Sequence, residues 1–374
     1  MPGRIVGLDG LRAISILLVI VGHAWATLPS PGRFGALAPY LGNAQMGVTT
    51  FFVVSGFLIT YLLRREWEKT GTIWIKAFYV RRVLRIFPAL YTYLAVLVLL
   101  RLAGAIHTTW GDLGIAGTFL TNYKHLFGIP TNDHYWFVGH FWTLSLEEQF
   151  YLFWPATILA FGLRRAPTVA LTIVLLSPLV RVATYFLWPE VRGQLSIMLH
   201  TAADPIMIGC LAALWQGDLR MEGILRRWSA WQWPVLATLF VLFVSPWLTN
   251  RYHGLYSMTA GMTLNGLGIA FIMLWVIRHP AHGVVRFLAS RPVSHVGILS
   301  YSLYLWQQLF LTGNNRTWTG TFPLNLLACI AAAELSYWVV ERPFLKLRDN
   351  FRRRPQPVTV MKADAADDRA VAGR

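Results

Sequence analysis

The stretch DGLRAISILLVIVGHAWATL, residues 9–28, carries Asp9 and Arg12 at its start, His23 near its end, and otherwise almost only apolar or small side chains. Twenty residues of α-helix reach about 30 Å, the thickness of a bilayer's hydrocarbon core, so this stretch is read as a membrane span. It runs on into more apolar sequence with no small-residue cleavage pattern, which favours a retained first span over a removable signal. The same template recurs at 46–63, 83–104, 147–163, 166–188, 195–216, 230–248, 254–277, 293–313 and 320–343. The expected fold is therefore all-α, a polytopic membrane protein of about ten transmembrane helices. Composition agrees: of 374 residues 55% are hydrophobic and 13% charged, with 17 tryptophans, a profile that a soluble domain of this size could not keep in solution. Mean hydropathy is +0.48.

The net charge of +16 would suggest nucleic acid in a soluble protein. Here the basic residues gather in short segments between apolar stretches, which is a topological signal and not a nucleic-acid surface. Arg64, Arg65, Lys69, Lys76, Arg81 and Arg82 lie between the second and third spans. Arg164 with Arg165, then Arg220, Arg226 and Arg227, then Arg278, Arg286 and Arg291 follow at alternate loops, and Lys346, Arg348, Arg352, Arg353 and Arg354 close the series. The intervening loops hold Arg33, Lys124, Arg192, Arg251 and Arg316, one each. Because Lys and Arg are retained inside, both termini are expected in the cytoplasm. Residues 1–348 read as one membrane domain and 349–374, turning from Arg-rich to Ala- and Asp-rich, as a disordered tail. The longest outer segment, 105–146, holds His107, His125, His134 and His140, and is long enough for a lid. Cys210 and Cys329 lie in apolar stretches without metal-ligand spacing, and no metal is expected.

Ionisable side chains at helix depth cost about 2.5–3.5 kcal/mol each on insertion scales, so they are candidates for function. Arg12 and His23, eleven residues apart, fall within about 20° of one helix face and ~16 Å apart along the axis. His23 in the outer half can accept a proton from a hydroxyl; equally, it can be a packing histidine, with Asp9 and Arg12 an interfacial pair. Arg81, Arg82 and Arg85 form either a phosphate clamp or an ordinary positive-inside anchor. Glu147 and Glu148 enter an apolar helix facing directions about 100° apart and cannot share one role: either one orients a histidine or binds acceptor hydroxyls while the other holds the fold, or they are a charge favoured at a helix start. Asp204 is open between function and pairing, whereas Glu334, on one face with Tyr337 and Glu341, reads as structural.

These residues fall in LDGLRAISILLVIVGH (8–23), MGVTTFFVVSGFLIT (46–60), RRVLRIFPAL (81–90), FWTLSLEEQFYLFWP (141–155), VGILSYSLYLWQQ (296–308) and ERPF (341–344). In that order and spacing they resemble the acyltransferase family 3 of integral membrane acyltransferases, which O-acylate bacterial surface polysaccharides, lipid-linked glycans, nodulation factors and some macrolides. The resemblance implies ten core helices, a bacterial inner-membrane location and acyl-CoA, by default acetyl-CoA, as donor. It implies catalytic roles for His23, Arg12, Glu147 and Glu148, and a cytoplasmic donor site at Arg81, Arg82 and Arg85. Asp9, Trp142, Ser145, Asp204 and Tyr301, in or beside these motifs, are the candidate substrate contacts. Two positions depart from the family pattern: Ala202 stands where an Arg often precedes the span-six aspartate, and Gln307 where a His often stands.

Together these readings put the basic cluster inside and His23 with Glu147 toward the outside. The expected reaction carries an acyl group from cytoplasmic acyl-CoA through the membrane to a sugar hydroxyl. His23 acts as base or as acyl carrier, with a carboxylate polarising its imidazole, and Arg12 steers the thioester. Members acting on peptidoglycan commonly carry a fused extracytoplasmic domain, so lipopolysaccharide, exopolysaccharide or a small glycoside such as a macrolide is the expected acceptor. A flippase for lipid-linked sugars would also use polar groups at depth, but no internal repeat supports a transporter. A non-catalytic scaffold gives no reason for buried His23, Arg12 and two glutamates.

Overall fold

A computed structural model describes residues 5–25, 27–28, 40, 42–129, 135–313 and 317–351. Arg33, His134, Arg316, Arg352, Arg353, Arg354 and the tail beyond 351 lie outside the described residues.

The described residues form helices and connecting turns, with no strand among them. The principal helices are α1 (Leu8–Trp25), α2 (Ala44–Thr70), α3 (Ile75–Leu102) and α4 (Phe141–Leu187). They continue as α5 (Asp204–Leu214), α6 (Gln232–Tyr252), α7 (Gly254–Arg278), α8 (Arg291–Phe310) and α9 (Leu324–Asp349). Seven helices among the described residues are long and apolar enough to cross a membrane, against the ten spans expected. The difference has three physical sources. The expected fourth and fifth spans lie in one continuous element that turns at Gly162, whose φ of 73° and ψ of 163° interrupt the helix beside Arg164 and Arg165. Helix α5 has 11 residues, about 16 Å, and is entered through a break at Asp204-Pro205. Helix α8 is 20 residues long, but His295, Gln307, Gln308 and its serines dilute its apolar content.

Helix α2 is the most enclosed of the seven candidate spans, packed against α1, α5, α7 and α4. Small residues make that possible: a Cβ placed on Gly56 would strike the Ile206 carbonyl of α5, and one on Gly209 would strike the Val53 carbonyl of α2. The outward faces of α3 and α4 present Leu99, Leu102, Phe153, Leu175, Leu179 and Leu187, all exposed. Apolar surface of that extent needs lipid around it, and the chain is a multi-pass membrane protein.

Candidate active site

Two cavities meet inside the bundle. The first collects the arginines. Arg12 enters from α1, and Arg82 with Arg85, three residues apart and so on one face, from α3. Glu147 and Tyr151 of α4, Ser300, Tyr301 and Tyr304 of α8, and Phe51, Phe52, Ser55 and Leu58 of α2 complete the lining. Its free volume of about 90 Å³ is several times the ~10–15 Å³ that one water requires on the same measure. The walls are braced: Tyr301 donates to the Ile86 carbonyl at 2.8 Å, Ser55 hydrogen-bonds Tyr151, and the Arg82 guanidinium lies 4.8 Å above the Tyr151 ring. Three guanidinium groups against one lining carboxylate make an apolar-walled cavity with surplus positive charge, suited to an anionic ligand.

The second cavity, about 180 Å³, lies toward the other end of α1 and is lined by Val19, His23, Gln45, His140, Trp142 and Gln308, among others. Among the described residues its lining includes two histidines, His23 and His140, and the phenol of Tyr304. The His23 ring stands edge-on to Trp136, with centroids 5.8 Å apart. Gln307 lies beside its imidazole, yet His23 Nδ1 and both polar atoms of Gln307 are buried without a hydrogen-bond partner among the described residues. Val48 and Tyr304 line both cavities and so form the wall between them. Tyr304 is fixed there, its hydroxyl accepting from Thr143 at 2.7 Å and donating to the His140 carbonyl at 3.0 Å.

The structure thus joins Arg12, Arg82, Arg85, Glu147 and Tyr301 in one cavity and His23 with Trp142 in the other, and it separates residues that the sequence grouped. Glu147 stands among the arginines, and no carboxylate among the described residues lines the histidine cavity. Arg81 turns away from Arg82 and Arg85 to pair with Glu66 at 3.2 Å, where Glu66 also accepts the Trp74 backbone N–H. Glu148 lies near Arg82 and Glu147 but lines neither cavity. Ser145 is fully buried and accepts the Thr121 N–H at 3.3 Å, and Asp9, one turn before Arg12, also lines neither. Asp204 is engaged elsewhere: Arg181 of α4 meets both its oxygens at 2.8 and 3.0 Å, and Thr263 donates to it at 2.5 Å. Arg181, which no motif marked, supplies from another helix the guanidinium that pairs with Asp204.

Residues 121–127 are tied to the stretch 189–200. His125 bonds Gln194 and Tyr123 bonds His200, each at 2.9 Å, while Lys124 lies 3.5 Å from the Tyr135 ring centroid. Burial pushes the Lys124 ammonium down to about 8, with Asp112 opposing the shift.

Comparison with known proteins gives the arrangement its family. The chain is 29% identical over 373 residues to the peptidoglycan O-acetyltransferase OatA of Listeria monocytogenes, covering 91% of this chain and 55% of that protein. To the O-acetyltransferase OatA of Staphylococcus aureus it is 27% identical, covering 92% and 58%. The chain therefore spans a little over half the length of these relatives. No solved structure matches it. A family model described as an acyltransferase domain matches residues 5–341, nearly the whole bundle, and the chain belongs to that family, the integral membrane acyltransferases of family 3.

Proposed function

We propose that the chain is a membrane O-acetyltransferase that takes acetyl from acetyl-CoA at the arginine cavity and passes it to a glycan hydroxyl entering the histidine cavity from the opposite face. The observation that carries this reading is the pair of cavities sharing Val48 and Tyr304 as a common wall, one basic and apolar, the other bearing imidazoles. The alternation of basic loops supports placing the arginine end and both termini in the cytoplasm. Acyl-CoA fits the first cavity by charge: its phosphates suit the guanidinium groups, and its uncharged arm suits the walls of Val48, Phe51, Phe52 and Leu58. Acetyl as the group moved, and a cell-envelope glycan as acceptor, follow the names of the relatives, of which the Listeria protein acts on peptidoglycan. A bacterial cytoplasmic membrane is the corresponding location.

In this reading Arg12 faces the thioester from the arginine side and stabilises charge as its carbonyl is attacked. His23 is the reactive imidazole on the acceptor side, as base or acyl carrier. The test compares ester-linked acetate, by mass spectrometry of envelope glycans, in a deletion strain complemented with the wild type or with His23→Ala. The wild type restores the acetate and the variant, inserted at equal level, does not. Full acetylation by His23→Ala, or no acetate restored by the wild type, overturns the reading.

A further inference from the structure

His140 begins the motif that carries Glu147 and Glu148, but the sequence singled it out only as a loop histidine. In the structure it is 3% exposed and faces the same cavity as His23. Two of its nitrogens approach one atom, Gln308 Oε1: the backbone N at 3.2 Å and ring Nδ1 at 2.8 Å. A backbone N–H can only donate, so the amide atom that both share must be the oxygen, whichever way the amide of Gln308 would otherwise be assigned. An amide oxygen cannot donate, and Nδ1 must therefore carry the ring proton. The neutral imidazole is left with its lone pair on Nε2. That atom is buried and has no hydrogen-bond partner among the described residues.

The ring cannot easily turn away. Edge-on contacts with Tyr93, Phe141 and Tyr304 hold it, with centroids 5.7, 4.8 and 5.4 Å away. Gln308 is itself fixed, because Trp136 Nε1 donates to its backbone carbonyl at 3.1 Å. His23 has no such anchor, since its Nδ1 makes no hydrogen bond among the described residues. A ring that lines a cavity, with its tautomer set and its basic nitrogen unpaired among the described residues, has the arrangement that general-base catalysis needs.

We infer that His140 is a second catalytic imidazole, the base that takes the proton of the acceptor hydroxyl. The inference rests on the acyl-transfer reading above. With His140 as the base, His23 is the acyl carrier. Its ring nitrogen bonds to the thioester carbonyl carbon, the C–S bond breaks, and the thiolate leaves with the His23 ring proton as free thiol. As the hydroxyl oxygen then bonds to the same carbonyl carbon, its proton moves to His140 Nε2 and the C–N bond to His23 breaks; the His140 imidazolium, its Nδ1–H still on Gln308, returns the proton to His23, giving the ester.

The test uses membrane vesicles holding the full chain and their own glycan, supplied with radiolabelled acetyl-CoA, with base-labile label in the glycan fraction as the readout. His140→Asn is the informative variant, because its amide N–H can still donate to Gln308 Oε1 while the basic nitrogen is gone. Labelling is expected to fall about 100-fold or more, with acetyl-CoA affinity of the purified protein unchanged and added imidazole restoring part of the rate. Gln308→Ala, which frees the tautomer, is expected to fall in between. Labelling by His140→Asn within about threefold of wild type overturns the inference, as does a loss that imidazole does not relieve. Wild-type vesicles that label nothing from acetyl-CoA would instead refute the functional reading itself.

Discussion

Replacing Arg181 by Leu tests how the bundle is held together and, at the same time, whether Asp204 serves the reaction. The Arg181 guanidinium is fully buried and makes five hydrogen bonds: two to Asp204, one each to the Thr201 and Met258 carbonyls at 2.8 Å, and one to Thr263 at 3.3 Å. Breaking a buried ion pair from one side costs about 3–5 kcal/mol, because the other charge stays behind unpaired. Two orphaned carbonyls add about 1–3 kcal/mol each where water cannot reach them. Arg181→Leu should therefore lose about 5 kcal/mol or more. In Arg181→Leu/Asp204→Leu no charge is stranded, only the carbonyl cost remains, and most of the loss should be recovered. Unfolding in detergent, followed by tryptophan fluorescence against denaturant, measures both variants. If Arg181→Leu lies within about 1 kcal/mol of wild type, or the double variant is no better than the single, the pair is not what joins α4 to α5. If the double variant folds but no longer acetylates, Asp204 has a role in the reaction that its geometry does not show.

Arg82→Ala or Arg85→Ala should weaken acetyl-CoA binding about 10- to 100-fold, the worth of one charge-assisted contact. Arg81→Ala, which removes only the pair with Glu66, should leave binding unchanged; calorimetry on the purified chain separates the three. Lys124 gives a pH dependence whose sign is fixed. Its folded value near 8 lies below the unfolded 10.5, so between those values the unfolded chain holds the extra proton and stability rises with pH. Lys124→Met should be more stable than wild type at neutral pH and flatten that rise, as thermal unfolding from pH 7 to 10 would show; a steeper rise would contradict it.

Much of the fold was legible because twenty apolar residues have few other uses. Hydropathy found α1, α6, α7 and α8 nearly where they lie, but it could not separate a break from a bend. The dip at Arg164 and Arg165 looks like a loop, whereas the chain only turns at Gly162. It also stopped the second span at 63, although α2 continues to Thr70 with Arg64 donating to the carbonyls of Ala213, Leu214 and Gln216. The arginine cavity was half visible: helical spacing puts Arg82 and Arg85 on one face, but only tertiary contact shows Arg81 drawn off by Glu66. Arg181 was the plainest missed signal, a lone cation in an apolar run whose partner lies 23 residues on, in another helix. The partner of His140 is 168 residues away, beyond any local pattern.

The shared wall bears on the cell's energy supply. With the two cavities reaching in from opposite faces as proposed, the bundle is one layer of side chains short of a channel. Each proton or ion leaking through would dissipate about 2.3 kcal/mol per 100 mV of membrane potential. Val48 offers such a charge no solvation, and the Tyr304 hydroxyl is already committed to Thr143 and His140. On the proposed reading the wall works as an airlock: a small uncharged group crosses the bilayer without running down the gradient that the cell maintains across it.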